Sequence, residues 1–114
     1  YSIQSVAPGY YHQVLYKKVN RHQIPLVLMQ YPTLPIAQLE GYFKADNSLR
    51  KNLYFLSNEK NFTQALKDFP YDSIFKDRFR STWGHTTNKG NHLISDNVLQ
   101  FLEKNFNLVV HQDK

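Results

Sequence analysis

Two short apolar runs set the terms for what this chain can fold into. Leu26–Gln30 and Asn52–Leu56 hold Leu26-Val27-Leu28-Met29 and Leu53-Tyr54-Phe55-Leu56, with no alternation of polar and apolar residues. Unbroken runs of this length read as strands buried on both faces, the habit of parallel sheets. Helical patterns lie between and around them, so the order helix, strand, helix, strand, helices is that of an α/β fold. A parallel sheet, however, needs several strands beneath its helices. Two strands leave their outer flanks unpaired. The expectation is a single partial domain over residues 1–114, whose sheet is completed by the N-terminal half of the same domain, another partner segment or another copy of the chain.

The helical patterns are legible from spacing. Pro8-Gly9 reads as a turn or helix start, after which Tyr11, Val14, Leu15 and Val19 recur at helical intervals, giving a helix over Gly9–His22. Pro32 and Pro35 end the first strand and open a short helix over Ile36–Tyr42. Phe62, Ala65, Leu66 and Phe69 share one face of a helix over Asn61–Phe69, stopped by Pro70, and Tyr71–Phe79 reads as a short helix or ordered loop. The clearest pattern is Leu93, Ile94, Val98, Phe101 and Leu102, a stripe that predicts a helix over Asn91–Asn105 with Thr86 or Thr87 as its N-cap. Leu108-Val109-Val110 reads as an added edge strand or a loose tail.

Composition narrows the function classes. The length of 114 residues, with 41% hydrophobic and 20% charged residues, is that of a globular chain. With no cysteine there is neither a disulfide framework nor a thiolate metal site. The longest apolar run, Ile24–Met29, is broken by Pro25 and too short to span a bilayer. The chain opens on Tyr1 without a recognisable signal peptide, which reads as a trimmed product or part of something longer. The net charge of +5 suits an anionic partner, but the basic residues are dispersed and no nucleic-acid module accompanies them. The histidines show no His-x-x-x-His spacing, so no metal is expected, and no cofactor. Asn61-Phe62-Thr63 matches the glycosylation acceptor pattern.

One string carries chemistry: Trp83-Gly84-His85-Thr86-Thr87-Asn88-Lys89-Gly90-Asn91. It sets a histidine on a Gly-preceded turn just ahead of the last helix, where a rigid neighbour can hold it as a general base near neutral pH. The plainer alternative is a turn histidine that bonds locally and caps that helix. Trp83 reads either as a wall of a substrate pocket or as an aromatic cover on the core. Tyr31, at the C-terminal end of a strand, stands where ligands approach α/β sheets, or else buries its ring and leaves its hydroxyl in water. His12, His22, His92 and His111 read as surface residues.

These strings together resemble the C-terminal half of SGNH (GDSL-type) hydrolases. Ile24-Pro25-Leu26-Val27-Leu28-Met29-Gln30-Tyr31-Pro32 looks like the family's penultimate strand, and Leu53-Tyr54-Phe55-Leu56-Ser57-Asn58-Glu59 is similar to its last strand. Phe75-Lys76-Asp77-Arg78-Phe79 and Gly84-His85-Thr86-Thr87-Asn88-Lys89-Gly90-Asn91 resemble the segment bearing the catalytic histidine. The resemblance runs from about Tyr10 to Leu102. It implies a flavodoxin-like three-layer α/β/α sandwich and cleavage of an acyl or acetyl ester, on a small molecule, carbohydrate or lipid, by a serine nucleophile. It makes His85 the base, while the serine and oxyanion donors belong to upstream segments: no Gly-Asp-Ser or Gly-x-Asn-Asp string is present. This chain alone is therefore expected to be inactive. The family's orienting aspartate stands three residues before the histidine, a position held here by Thr82. Threonine carries no charge to stabilise an imidazolium. Asp77, eight residues before His85, can replace it if the loop folds back. Two other readings remain beside the hydrolase: a non-catalytic α/β interaction domain with a degenerate triad, and a small basic nucleic-acid-binding domain.

Overall fold

The computed structural model describes residues 3–44, 51–78 and 84–108, with the course of the helix alone for 3–8. It is mixed α/β: α1 (Ile3–Arg21), β1 (Leu26–Met29), α2 (Ala37–Gly41), β2 (Leu53–Leu56), α3 (Glu59–Asp68), α4 (Tyr71–Ile74) and α5 (Asn88–Phe106). The chain forms two compact units, one of residues 1–30 and 34–57, the other of residues 31–33 and 58–114.

The first unit holds both predicted strands as a two-stranded parallel sheet, in register Leu26↔Leu53 through Met29↔Leu56. Its core is Tyr16, Leu28, Leu39 and Phe43, with Leu26, Ile36, Tyr42, Leu53 and Phe55 packed around it. Burial on both faces is only partly realised: Leu28 and Leu56 are buried, whereas Met29 is 44% exposed. With two strands, half of each strand's surroundings is not sheet. Tyr16 anchors α1 to the start of β2, its ring edge-on to Phe43 and its hydroxyl donating to the Lys51 carbonyl at 2.5 Å.

The helix α1 begins six residues before Gly9 and runs through Pro8, so the Pro8-Gly9 turn is not formed. A proline forfeits one helical hydrogen bond, but its φ is already helical. Gly9 serves another purpose: a Cβ there would sit 3.1 Å from the Tyr42 ring, so its absence lets α1 lie against Tyr42. That ring also meets His12, centroids 5.1 Å apart, which makes His12 half-buried rather than a free surface residue. The helix closes by a Schellman arrangement, with Ile24 N–H donating to Val19 and Gln23 N–H to Asn20 while Gln23 takes a φ of 57°. A glycine ordinarily marks that position, and here none does.

The second unit is helical, with Phe62, Ala65, Ile74 and Phe75 at its centre and Leu66, Tyr71, Leu93 and Ile94 against them. The α3 stripe is as expected except at Phe69, which is 43% exposed. The residue before a proline is driven to extended backbone, and Phe69 at φ −132°, ψ 148° has already left the helix. Its ring instead takes the Lys89 ammonium, 3.0 Å from the centroid. The residues Val109 and Val110 lie outside the described residues, as do the expected helix's Phe79 and the serines Ser2, Ser48 and Ser81.

This unit also buries a small polar cluster. Asn58, fully enclosed, accepts from the Asn97 amide at 2.9 Å and from the Asn61 amide at 3.4 Å. The Asn61 amide donates in addition to the Leu93 carbonyl at 3.1 Å. The nitrogen that a glycan would need is thus spent inside the α3–α5 contact, which removes Asn61-Phe62-Thr63 as an acceptor in the folded chain. Removing the shared acceptor takes one hydrogen bond from each of the half-buried Asn61 and Asn97 amides. Asn58→Ala is therefore expected to cost about 1–3 kcal/mol of stability in urea unfolding. A cost near zero would mean that the cluster contributes nothing to holding α3 on α5.

Candidate functional site

The site is built where the chain doubles back between α4 and α5. Phe75 and Thr86 form an antiparallel bridge, and Lys76 N–H donates to the His85 carbonyl at 2.7 Å. Fully buried Phe75 fixes one side of this clasp in the core. On the other side, Thr87 N–H donates to the Ile74 carbonyl at 2.9 Å and its hydroxyl to the Ser73 carbonyl at 2.6 Å. The same hydroxyl oxygen accepts from Gly90 N–H at 3.2 Å, so Thr87 is the N-cap of α5. The helix that begins here is thereby tied to the end of α4.

The glycines of the string are required by contact, since neither has a positive φ. A Cβ on Gly90 would fall 2.5 Å from the Ile74 carbonyl oxygen, and one on Gly84 would fall 1.8 Å from the Asp77 carbonyl oxygen. Any side chain at position 84 would push Asp77 away. Asn91 takes a hydrogen bond from the Thr86 hydroxyl. The pattern Gly-His-x-Thr-x-x-Gly-Asn is thus explained by local packing at Gly84, Thr87, Gly90 and Asn91. The histidine is the exception: its backbone alone makes the clasp, and nothing in that packing calls for an imidazole.

What the imidazole does is meet Asp77. The loop folds back, and the carboxylate takes His85 with both oxygens: Oδ1 accepts the backbone N–H at 2.6 Å and Oδ2 lies 2.8 Å from ring Nδ1. A carboxylate can only accept, so neutral His85 must carry its proton on Nδ1 and present its lone pair at Nε2. Both side chains are open to solvent, 60% exposed for His85 and 41% for Asp77, so the pair adds little to stability and much to orientation. Of the plainer alternative, a turn histidine that bonds locally and caps the last helix, the capping does not hold, because Thr87 is the cap, while the local bond is the one to Asp77.

Of the other expected site residues, Tyr31 follows β1 and is 38% exposed. Trp83 and Thr82 lie outside the described residues. Ser73 and Ser95 direct their hydroxyls to local carbonyls, of Pro70 and His92. Among the described residues, no group of three or more His, Asp or Glu side chains is arranged to hold a metal ion, and no helix is long and apolar enough to cross a membrane. The chain matches no model of a known protein family, no curated protein and no solved structure.

The carboxyl of Asp77 is held below the ordinary aspartate range, first by the hydrogen bond from the His85 ring, then by the His85 backbone N–H. A carboxyl more acidic in the folded than in the unfolded state stabilises the fold above its unfolded value. That contribution is lost as pH falls through the folded value. A small stability difference between the wild-type chain and Asp77→Asn, read from urea unfolding, is therefore expected near neutral pH and is expected to fade in acid. A difference that is independent of pH would place the aspartate's role elsewhere than in its charge.

Proposed function

We propose that these residues form the base-bearing part of an ester hydrolase of the SGNH type, with His85 as general base and Asp77 as its orienting carboxylate. The observation that carries this reading is the grip of Asp77 on both the ring Nδ1 and the backbone N–H of an exposed histidine. In such a hydrolase, Nε2 takes the proton of the serine hydroxyl as it attacks the carbonyl carbon of the ester, then returns it to the leaving alkoxide. The carboxylate keeps Nδ1–H aimed and stabilises the imidazolium that forms between these steps. The substrate is an acyl or acetyl ester. The serine and oxyanion donors come from chain outside these 114 residues, within a flavodoxin-like sandwich whose parallel sheet β1 and β2 continue.

The interaction-domain reading drew on the uncharged Thr82. With Asp77 at Nδ1, a missing carboxylate no longer favours it. The nucleic-acid reading has only the dispersed charge behind it.

Intact mass of the natural gene product, paired with turnover of p-nitrophenyl acetate by it and by the 114-residue chain, tests the proposal. The 114-residue chain is expected to show none. The gene product is expected to be larger and active, to lose that activity in His85→Ala and to fall by up to about 10⁴ in kcat in Asp77→Asn. A product no longer than this chain, or a larger one with no His85-dependent turnover, would refute it.

A further inference from the structure

The Asp77–His85 contact needs its aspartate held from behind, and one side chain does this. Tyr71, in α4, donates its hydroxyl to the Asp77 backbone carbonyl at 2.6 Å. Its ring stacks on Phe75, centroids 4.9 Å apart and planes 24° from parallel, and Phe75 is only 1% exposed. The guanidinium carbon of Arg78, the next residue after Asp77, lies 4.1 Å from the Tyr71 ring centroid. The Asp77 peptide is therefore fixed on three sides. Lys76 before it is bonded to His85, its own carbonyl is bonded to Tyr71, and Arg78 after it is seated on the Tyr71 ring.

We infer that Tyr71 is a positioning residue for the Asp77–His85 pair, transmitting the rigidity of the Phe75 core to the carboxylate through the Asp77 carbonyl. The inference deepens the hydrolase reading and rests on His85 being its base. The physical argument is one of geometry. An exposed carboxylate rotates about two side-chain bonds and moves with its backbone, and a surface ion pair pays in entropy to hold one arrangement. A backbone pinned at its carbonyl removes part of that freedom. The stacked ring cannot swing away, because Phe75 lies in the core and the cation on Tyr71 adds attraction of its own. A tyrosine is required rather than any aromatic, since phenylalanine keeps the stack and loses the donor.

Among the described residues, the charged groups that act on the Asp77 carboxylate are His85 and Lys76, and Tyr71→Phe replaces neither. Carboxyl carbon NMR of the 114-residue chain is to be followed through acid for the wild type, Tyr71→Phe and His85→Gln. In the wild type the Asp77 midpoint is expected below that of an ordinary aspartate, and in His85→Gln close to ordinary. In Tyr71→Phe it is expected to move up part of that way, with Phe75 and Ile94 methyl and ring signals unchanged. A Tyr71→Phe midpoint equal to the wild type would overturn the positioning role while leaving the pair intact. An ordinary midpoint in the wild type itself would overturn both the pair and the inference. Should Tyr71→Phe lose its dispersed spectrum, the Tyr71 hydroxyl proton of the wild type decides. Protection of that proton from exchange with water supports the role, and free exchange refutes it.

Discussion

Asp77 reaches His85 because two backbones touch where one of them has no side chain. The Gly84 Cα lies so close to the Asp77 carbonyl that a methyl group there would fall 1.8 Å from the oxygen. That approach, together with the Phe75–Thr86 bridge, turns eight residues of sequence separation into a 2.8 Å contact at Nδ1. The rest of the site depends on it. Thr87 caps α5 and binds it to the end of α4, Gly90 lets the first turn of α5 press on Ile74, and Tyr71 holds the far side of Asp77. The core of Phe62, Ala65, Ile74 and Phe75 supplies the fixed body against which this clasp is closed.

The first unit presents a different kind of constraint. Its two strands pair over four residues each, and one aromatic cluster, Tyr16, Phe43 and Phe55, binds them to the helices. Tyr16 spans the distance from α1 to the start of β2 with ring and hydroxyl both engaged, a use of tyrosine that satisfies its polar end while burying the rest. The mixed α/β character follows from these short parallel strands and the helices around them. The larger sandwich is part of the hydrolase proposal, since two strands alone do not make one.

Much of this was legible in the sequence because local rules were strong. The strands fell where unbroken apolar runs placed them, and α5 where its period-3.6 stripe and threonine cap placed it. Pro70 ended α3 as expected. The failures have physical causes. Pro8 looked like a boundary, yet a proline's fixed φ is compatible with a helix that tolerates one missing bond. Gln23, Asn52 and Asn107 adopt positive φ without a glycine to announce it. The Asn58–Asn61–Asn97 cluster left no trace in a hydropathy pattern, because its members are polar by type and Asn97 is distant in sequence from the other two. At the site, His85 was legible as a candidate from the glycines and threonines around it, although Gly84 and His85 run into the bridge at Thr86 rather than forming a turn. Asp77 was legible only as a conditional choice, since spacing does not say whether a loop returns. Tyr71 was not singled out at all. Its signal was a tyrosine six residues before an aspartate, which means nothing until the stack on Phe75 and the bond to the Asp77 carbonyl are seen.

With Asp77 at Nδ1, the basic nitrogen of His85 is Nε2. Long-range proton–nitrogen NMR of the His85 ring, at a pH where the imidazole is neutral, reads this out. The Nδ1–H tautomer is expected in the wild-type chain and is expected to be lost in Asp77→Asn. A His85 that carries its proton on Nε2 while Asp77 is ionised would refute it, because the lone pair would then face the carboxylate and the ring could not act as a base from its outer nitrogen.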